Sequence, residues 1–340
     1  MKVLVVALSA RMLATLAAAD GHEVVALDRF GDVDLRAVAP GATARSSAGL
    51  AALAEDVDAD AVVYGAGLEN RPDLVERLAA GRELLGTPAH LLPAVRDPWA
   101  LGDVMLVPET RRAAPSGEGW LRKPLRGGGG RGVRRWSGGR LRRTEILQRR
   151  VDGLSCSAVA VGNGRDAVVL GVTEQLHRGY AWIGNAVLES DEIGAELRAA
   201  CRTVAARFGV RGAFGVDAIW DGRRAWVLEV NPRPTASLEL FGPGVFALHV
   251  RGARGLDLDG PLPPACDKVK VVLFADRDVH APAPGWWPRG LVRDVPHEGE
   301  KIARGHPVCT LVSAAAGPQD LGATGARLLA ALPEAVGARA

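Results

Sequence analysis

Lysine is almost absent from this 340-residue chain. Of 42 basic side chains only Lys2, Lys123, Lys268, Lys270 and Lys301 are lysine, so arginine is the ordinary cation here. An excess of one charge sign is missing too. The 42 Lys and Arg face 39 Asp and Glu, a formal net charge of +3 spread along the chain. That balance gives no support to a nucleic-acid partner, despite local runs such as 140–143. No apolar run approaches the ~20 residues that a membrane helix needs. The start, MKVLVVALSARML, is interrupted by Arg11 and continues into a helix and a strand instead of a cleavage site, so a cytoplasmic protein with no membrane partner is expected. Cys156, Cys201, Cys266 and Cys309 show no CxxC or other metal-ligand spacing. They fit reduced, mostly buried thiols.

What is present suits an ordinary globular protein of two or three domains, with 48% hydrophobic and 24% charged residues. Residues 1–95 alternate apolar strands (KVLVVAL, HEVVALD, DAVVYGAG) with helical stretches, the pattern of a parallel sheet with helices on its faces. The first turn, ALSARML, lacks the glycines of GxGxxG that let backbone approach a pyrophosphate, which argues against a dinucleotide site and makes Asp28 a turn residue. Glu69 and Asn70 follow the third strand at the carboxyl edge of the sheet. They either cap the next helix or meet a substrate. From about residue 96 to 120 the chain is rich in Pro and Gly, as in a linker to a second module at 96–150 and a third at 151–340.

The second module holds GWLRKPLRGGGGRGVRRW, residues 119–136. A lysine on a strand beside four consecutive glycines either is a solvated edge charge or binds phosphate as a compact point charge, which a guanidinium fork does less well. EILQRRVDGLSCSAVAV then reads as strand, turn at Asp152 and Gly153, and strand. A helix follows near 191–208. The run 211–239 contains two strands joined by a turn at Asp221 and Gly222. Side-chain alternation puts Glu229, Asn231 and Arg233 on one face, and pairing brings Asp217 beside them. Such a row is either a wet polar face or a cation site, because facing carboxylates are costly to bury without a cation. Oxygen ligands beside a phosphate suit Mg²⁺. The stretch from 267, with VKVVLFA and EGEKIARGHPVCTLVS, reads as small β structure before a last helix.

These motifs resemble the ATP-grasp superfamily over most of the chain, and the tail resembles the predicted ATP-dependent carboligases related to biotin carboxylase. The resemblance implies an ATP-grasp architecture of mixed α/β and α+β class: an N-terminal parallel α/β domain and two lobes that clamp ATP. It implies that Lys123 meets the α/β-phosphates, and that Gly127, Gly128, Gly129, Gly130 and Gly132 close over the β/γ-phosphates. Gln148 would accept from the adenine amino group, with the backbone from Arg149 to Val151 along the ring edge. Asp217, Glu229 and Asn231 would hold Mg²⁺, and Arg233 would neutralise the transferred phosphoryl group. Ser155 stands where a ribose-binding glutamate is usual, and Ser237 where a carboxylase has a glutamate base, although Glu239 is two residues on. There is no second lysine near 96–105, a place Arg96 or Arg122 could fill. The implied function is an ATP-dependent carboxylate–amine ligase acting on small molecules, in the neighbourhood of one-carbon carrier biosynthesis, with a homodimer as an allowed assembly. Its rivals are a carboxylase or phosphotransferase on the same fold, and an inactive nucleotide-binding scaffold.

Overall fold

The computed structural model describes residues 1–113 and 117–335; residues 114–116 of the expected linker and 336–340 of the third module lie outside them. The first part is a five-stranded parallel sheet in the order β3-β2-β1-β4-β5, formed by β1 (Lys2–Val6), β2 (Glu23–Asp28), β3 (Gly41–Thr43), β4 (Ala61–Tyr64) and β5 (Glu83–Leu84). Helices α1 (Arg11–Ala19), α2 (Val33–Val38), α3 (Ser47–Leu53) and α4 (Pro72–Ala79) cover it. Val3, Leu4, Val5 and Val6 are all fully buried. That is why β1 reads as a continuous apolar run instead of an alternating one: a parallel strand between two helical layers has no wet face. Asp28 accepts from the N–H groups of Ala10 and Gly31, so it closes the turn at the sheet's carboxyl edge.

Two short helices, α5 (Leu92–Val95) and α6 (Pro98–Gly102), lead into a small antiparallel sheet of β6 (Thr110–Arg111), β7 (Trp120–Pro124), β8 (Arg134–Arg135) and β9 (Glu145–Arg149), in the order β6-β9-β7-β8. The turn at Asp152 and Gly153 then passes the chain to a different sheet. This large sheet begins with β10 (Leu154–Asn163), β11 (Ala167–Arg178) and β12 (Ala181–Val187), and continues after α7 (Asp191–Phe208) with β13 (Arg211–Trp220) and β14 (Ala225–Asn231). Alternation along β10 divides two cores: Cys156, Ala158 and Ala160 pack with α7, while Val159 and Val161 pack with α8 (Val245–Ala253) and, through it, with α1.

The tail from residue 267 does more than the small β structure expected of it. Strand β15 (Val269–Phe274) pairs antiparallel with β12, and after the short β16 (Val279–His280), β17 (Val292–Arg293) and β18 (Lys301–Ile302), strand β19 (Pro307–Ser313) pairs with β15. The main sheet thus has eight strands, in the order β14-β13-β10-β11-β12-β15-β19-β17. Gly184 permits the junction, since a Cβ there would lie 2.1 Å from the Lys270 carbonyl oxygen. Helix α9 (Pro318–Ala331) covers this end. No helix among the described residues is long and apolar enough to cross a membrane.

His249 of α8 ties the first sheet to the large one. Its Nδ1 accepts from Ala213 N–H at 2.8 Å and its Nε2 lies 3.2 Å from the Leu85 carbonyl, to which it donates as a neutral imidazole. Burial pushes its pKa down to about 4. An unfolded histidine titrates near 6.5, so this tie is fully present above pH ~6.5 and is lost as pH falls towards 4, a contribution on the order of 3 kcal/mol. Replacing His249 by Gln should flatten the pH dependence of the urea midpoint across that window. Parallel profiles for the two proteins would contradict the assignment.

Candidate functional site

The site is built on the face where β13 and β14 meet the small sheet. Pairing places Asp217 directly opposite Glu229 and Gly215 opposite Asn231, with a bulge immediately after Asp217. Asp217 Oδ1 accepts from Ser157 Oγ at 2.7 Å and its Oδ2 from Asn231 Nδ2 at 2.9 Å. Burial, with the Glu229 carboxylate opposite, pushes the Asp217 pKa up to about 6. The two acids therefore repel, and a cation between them relieves the repulsion. Among the described residues no group of three His, Cys, Asp or Glu side chains could hold a metal ion. A cation on this face would have two carboxylates and the Asn231 amide oxygen to rest on, a donor set of the kind Mg²⁺ takes when phosphate oxygens complete its shell, although Arg96 and Arg233 already donate to that amide oxygen.

Three cations surround the pair. Lys123 reaches from β7, where burial pulls its ammonium below the ordinary lysine range while Glu229 opposes that shift. Its Nζ donates to Gln148 Oε1 at 3.2 Å, and Gln148 Nε2 donates to Thr110 Oγ1. The expected adenine acceptor is thus shared with the lysine. Arg233 donates to Asn231 Oδ1 at 3.3 Å and to Glu69 at 3.2 Å. Glu69 in turn accepts from Gly67 N–H, whereas α4 starts at Pro72 after Arg71 and has no side-chain cap. The helix-cap alternative for Glu69 and Asn70 therefore falls: Glu69 braces Arg233.

Arg96 is the third cation and the most connected. It donates to the Val230 carbonyl at 3.0 Å and the Gly127 carbonyl at 2.8 Å, and lies 3.7 Å from Glu229. Of the two arginines that could replace a second lysine, this one reaches the site. Arg122 alternates to the opposite face of β7 from Lys123 and pairs with Glu145.

The glycine loop lies against the large sheet. Trp182 N–H donates to the Gly129 carbonyl at 3.0 Å, and a Cβ on Gly130 would stand 1.7 Å from the Tyr180 carbonyl oxygen. Gly130 also has φ +67, so both conformation and contact require glycine. Gly127 presents its carbonyl to Arg96, while Gly128 and Gly132 belong to the same loop. Between Lys123, Arg96 and Glu229 remains a gap of about 20 Å³. That is room for about one water.

The remaining expected residues are already engaged. Arg149 N–H donates to Glu109 and Arg150 N–H to Gly119, so a ring edge would be met by carbonyls or by Val151. The Arg149 side chain instead lies over the Trp120 ring. Ser155 Oγ donates to Gln175 Oε1 at 3.0 Å. Ser237 is buried, 2.9 Å from Thr235 Oγ1. Glu239 is held between Arg11 and Lys270, which keep its carboxyl far below the usual range despite burial. It is no proton acceptor. Sequence reasoning missed Ser157 and also Tyr64, whose single hydroxyl proton is shared between the Pro232 and Thr87 carbonyls and so ties down the turn before Arg233. A tyrosine at the end of an otherwise aliphatic strand was the available signal.

Two substitutions probe this arrangement. Lys123→Arg should keep the ligand-free melting temperature but lose most ATP-induced stabilisation, because a planar guanidinium displaces phosphates and stabilisation follows affinity. A wild-type ATP shift would leave Lys123 a structural cation with no part in nucleotide binding. Gly130→Ala should leave the loop undocked, seen as faster amide exchange at Trp182. Unchanged protection there would refute the docking.

Residues 100–237 match the ATP-grasp domain family. A formate-dependent phosphoribosylglycinamide formyltransferase from Azotobacter vinelandii is 37% identical over 95 residues, covering 25% of this chain and 23% of the relative. The chain thus spans less than a quarter of that relative's length. Biotin carboxylase from Campylobacter jejuni superposes with a TM-score of 0.73 at 15% identity, over 97% of this chain and 91% of the other. N5-carboxyaminoimidazole ribonucleotide synthetase from Thermus thermophilus superposes with a TM-score of 0.68 at 19% identity, over 99% of both chains. The match over residues 100–237 and the two superpositions together give the chain the ATP-grasp fold.

Proposed function

We propose that this protein is an ATP-dependent carboxylate–amine ligase. ATP-grasp proteins are ATP-dependent ligases or carboxylases, and the observation that carries the finer reading is the convergence of Lys123, Arg96 and Arg233 on the Asp217, Glu229 and Asn231 face. In the reaction a substrate carboxylate oxygen bonds to the γ-phosphorus as the bond to ADP breaks. The amine nitrogen then attacks the acyl carbon of the acyl phosphate, inorganic phosphate leaves, and the nitrogen loses a proton. Lys123 and the loop amides balance charge on the phosphates, and Arg233, fixed by Glu69, balances it at the transferred group. Mg²⁺ held by Asp217, Glu229 and Asn231 would supply further charge neutralisation there.

Two features favour a ligase over a carboxylase. Ser237 offers no carboxylate, and Glu239 is locked between two cations, so neither position supplies a base for bicarbonate. The name of the Azotobacter relative also pairs formate with an amine-bearing acceptor.

A hydroxylamine trap tests the reading. With ATP, Mg²⁺ and a carboxylate pool, ADP release should yield a hydroxamate, and an amine pool should divert it to amide. ADP release with a stable phosphorylated product marks a phosphotransferase, a bicarbonate requirement marks a carboxylase, and no release with any pool marks an inactive scaffold. Glu229→Gln should abolish turnover while the ligand-free melting temperature stays within a few degrees; retained turnover would remove Glu229 from the metal face.

A further inference from the structure

A pocket of about 250 Å³ lies on the far side of Arg96 from the carboxylate pair, between the start of α4, helices α5 and α6, and the root of the glycine loop. Its size falls just below the ~300 Å³ at which drug-sized sites begin, so it suits a small occupant. Its lining is net positive. Arg96, Arg112 and Arg126 outnumber Asp97, which caps α6 by accepting from the Trp99 N–H at 3.0 Å, and the other acid, Glu69, is paired with Arg233. Neighbouring ion pairs take other arginines, Arg111 with Glu109 and Arg122 with Glu145, and leave Arg112 and Arg126 without an acid among the described residues. The Arg112 guanidinium is not loose, since its carbon sits 4.6 Å from the Trp99 ring centroid.

Two buried atoms in the wall lack partners, Arg96 Nε and Asn70 Oδ1. Buried polar atoms in native structures are normally satisfied by protein, water or ligand. The first asks for an acceptor and the second for a donor. Leu92, Pro93 and Leu125 supply an apolar floor. The pocket therefore suits a short carbon skeleton with an anionic end and a neighbouring N–H or O–H. Arg96 and Glu69 connect it to the site, through Asn231 and Arg233 respectively. Arg126 comes from the glycine loop, so the pocket is complete only when that loop is down.

We propose that this pocket holds the second anionic group of the carboxylate substrate, which is a small amino- or hydroxy-dicarboxylic acid. One carboxylate then lies at Arg233 for activation and the other at Arg112 and Arg126. The identification rests on the ligase reading, but binding itself tests it separately. Calorimetry on the full chain would use L-aspartate, L-malate, acetate and inorganic phosphate as probes. Aspartate or malate should bind at least about tenfold more tightly than acetate, and Arg112→Gln and Arg126→Gln should each remove most of that advantage while the ligand-free melting temperature holds. Equal binding of acetate, tighter binding of phosphate than of either diacid, or wild-type diacid affinity in both variants would overturn the inference. Diacid binding with no ADP release from any carboxylate would sink the ligase reading alone. ADP release with monocarboxylates and no diacid binding would sink this inference alone.

Discussion

The repulsion between Asp217 and Glu229 governs the rest of the site. Strand register puts the two carboxylates opposite one another, and burial raises the cost of charging Asp217. Each surrounding feature answers that cost: Ser157 and Asn231 donate to Asp217, Arg96 approaches Glu229, and Lys123 comes across from the small sheet. A cleft arranged this way favours cations and, beyond them, phosphate. The bulge after Asp217 re-aims β13 at this point, as bulges often do beside functional sites.

Arg96 turns this local balance into a connection between parts. It joins β14 to the glycine loop and lines both the small gap beside Lys123 and Glu229 and the cationic pocket beyond it. An arginine suits this post because its fork serves several acceptors at once, where an ammonium would act as a point charge. The two scarce lysines near the acids have different tasks. Lys123 lies between the small sheet and the acid pair, bonded to Gln148, and Lys270 is fixed under Glu239.

The parts of the fold that follow local periodicity were legible in the sequence. The helix expected near 191–208 spans Asp191–Phe208, the Asp221–Gly222 turn joins β13 to β14, and alternation brought Asp217, Glu229 and Asn231 to one face. What was not legible depends on partners far along the chain. Glu69 meets Arg233 across 164 residues and Arg96 meets Asn231 across 135. No local pattern encodes either. The tail strands were under-read for a related reason, since their place in the main sheet depends on a close approach at Gly184 that only the assembled sheet reveals. The helix-cap alternative for Glu69 failed because an ion pair outcompeted a local hydrogen bond.

The tail also closes over the beginning of the chain. Arg11, 3% exposed, has as its partners Glu239 and Asp294, and Asp34 accepts from the backbone of Asp294 and Val295. Asp294 holds this corner at φ +55, a conformation a non-glycine residue adopts only when its surroundings fix it. During synthesis Asp34 follows Arg11 within the same sheet domain, whereas Glu239 and Asp294 follow more than two hundred residues later. The full set of acids around the buried guanidinium therefore exists only once the tail strands have been made, so a segment added late completes the packing of α1.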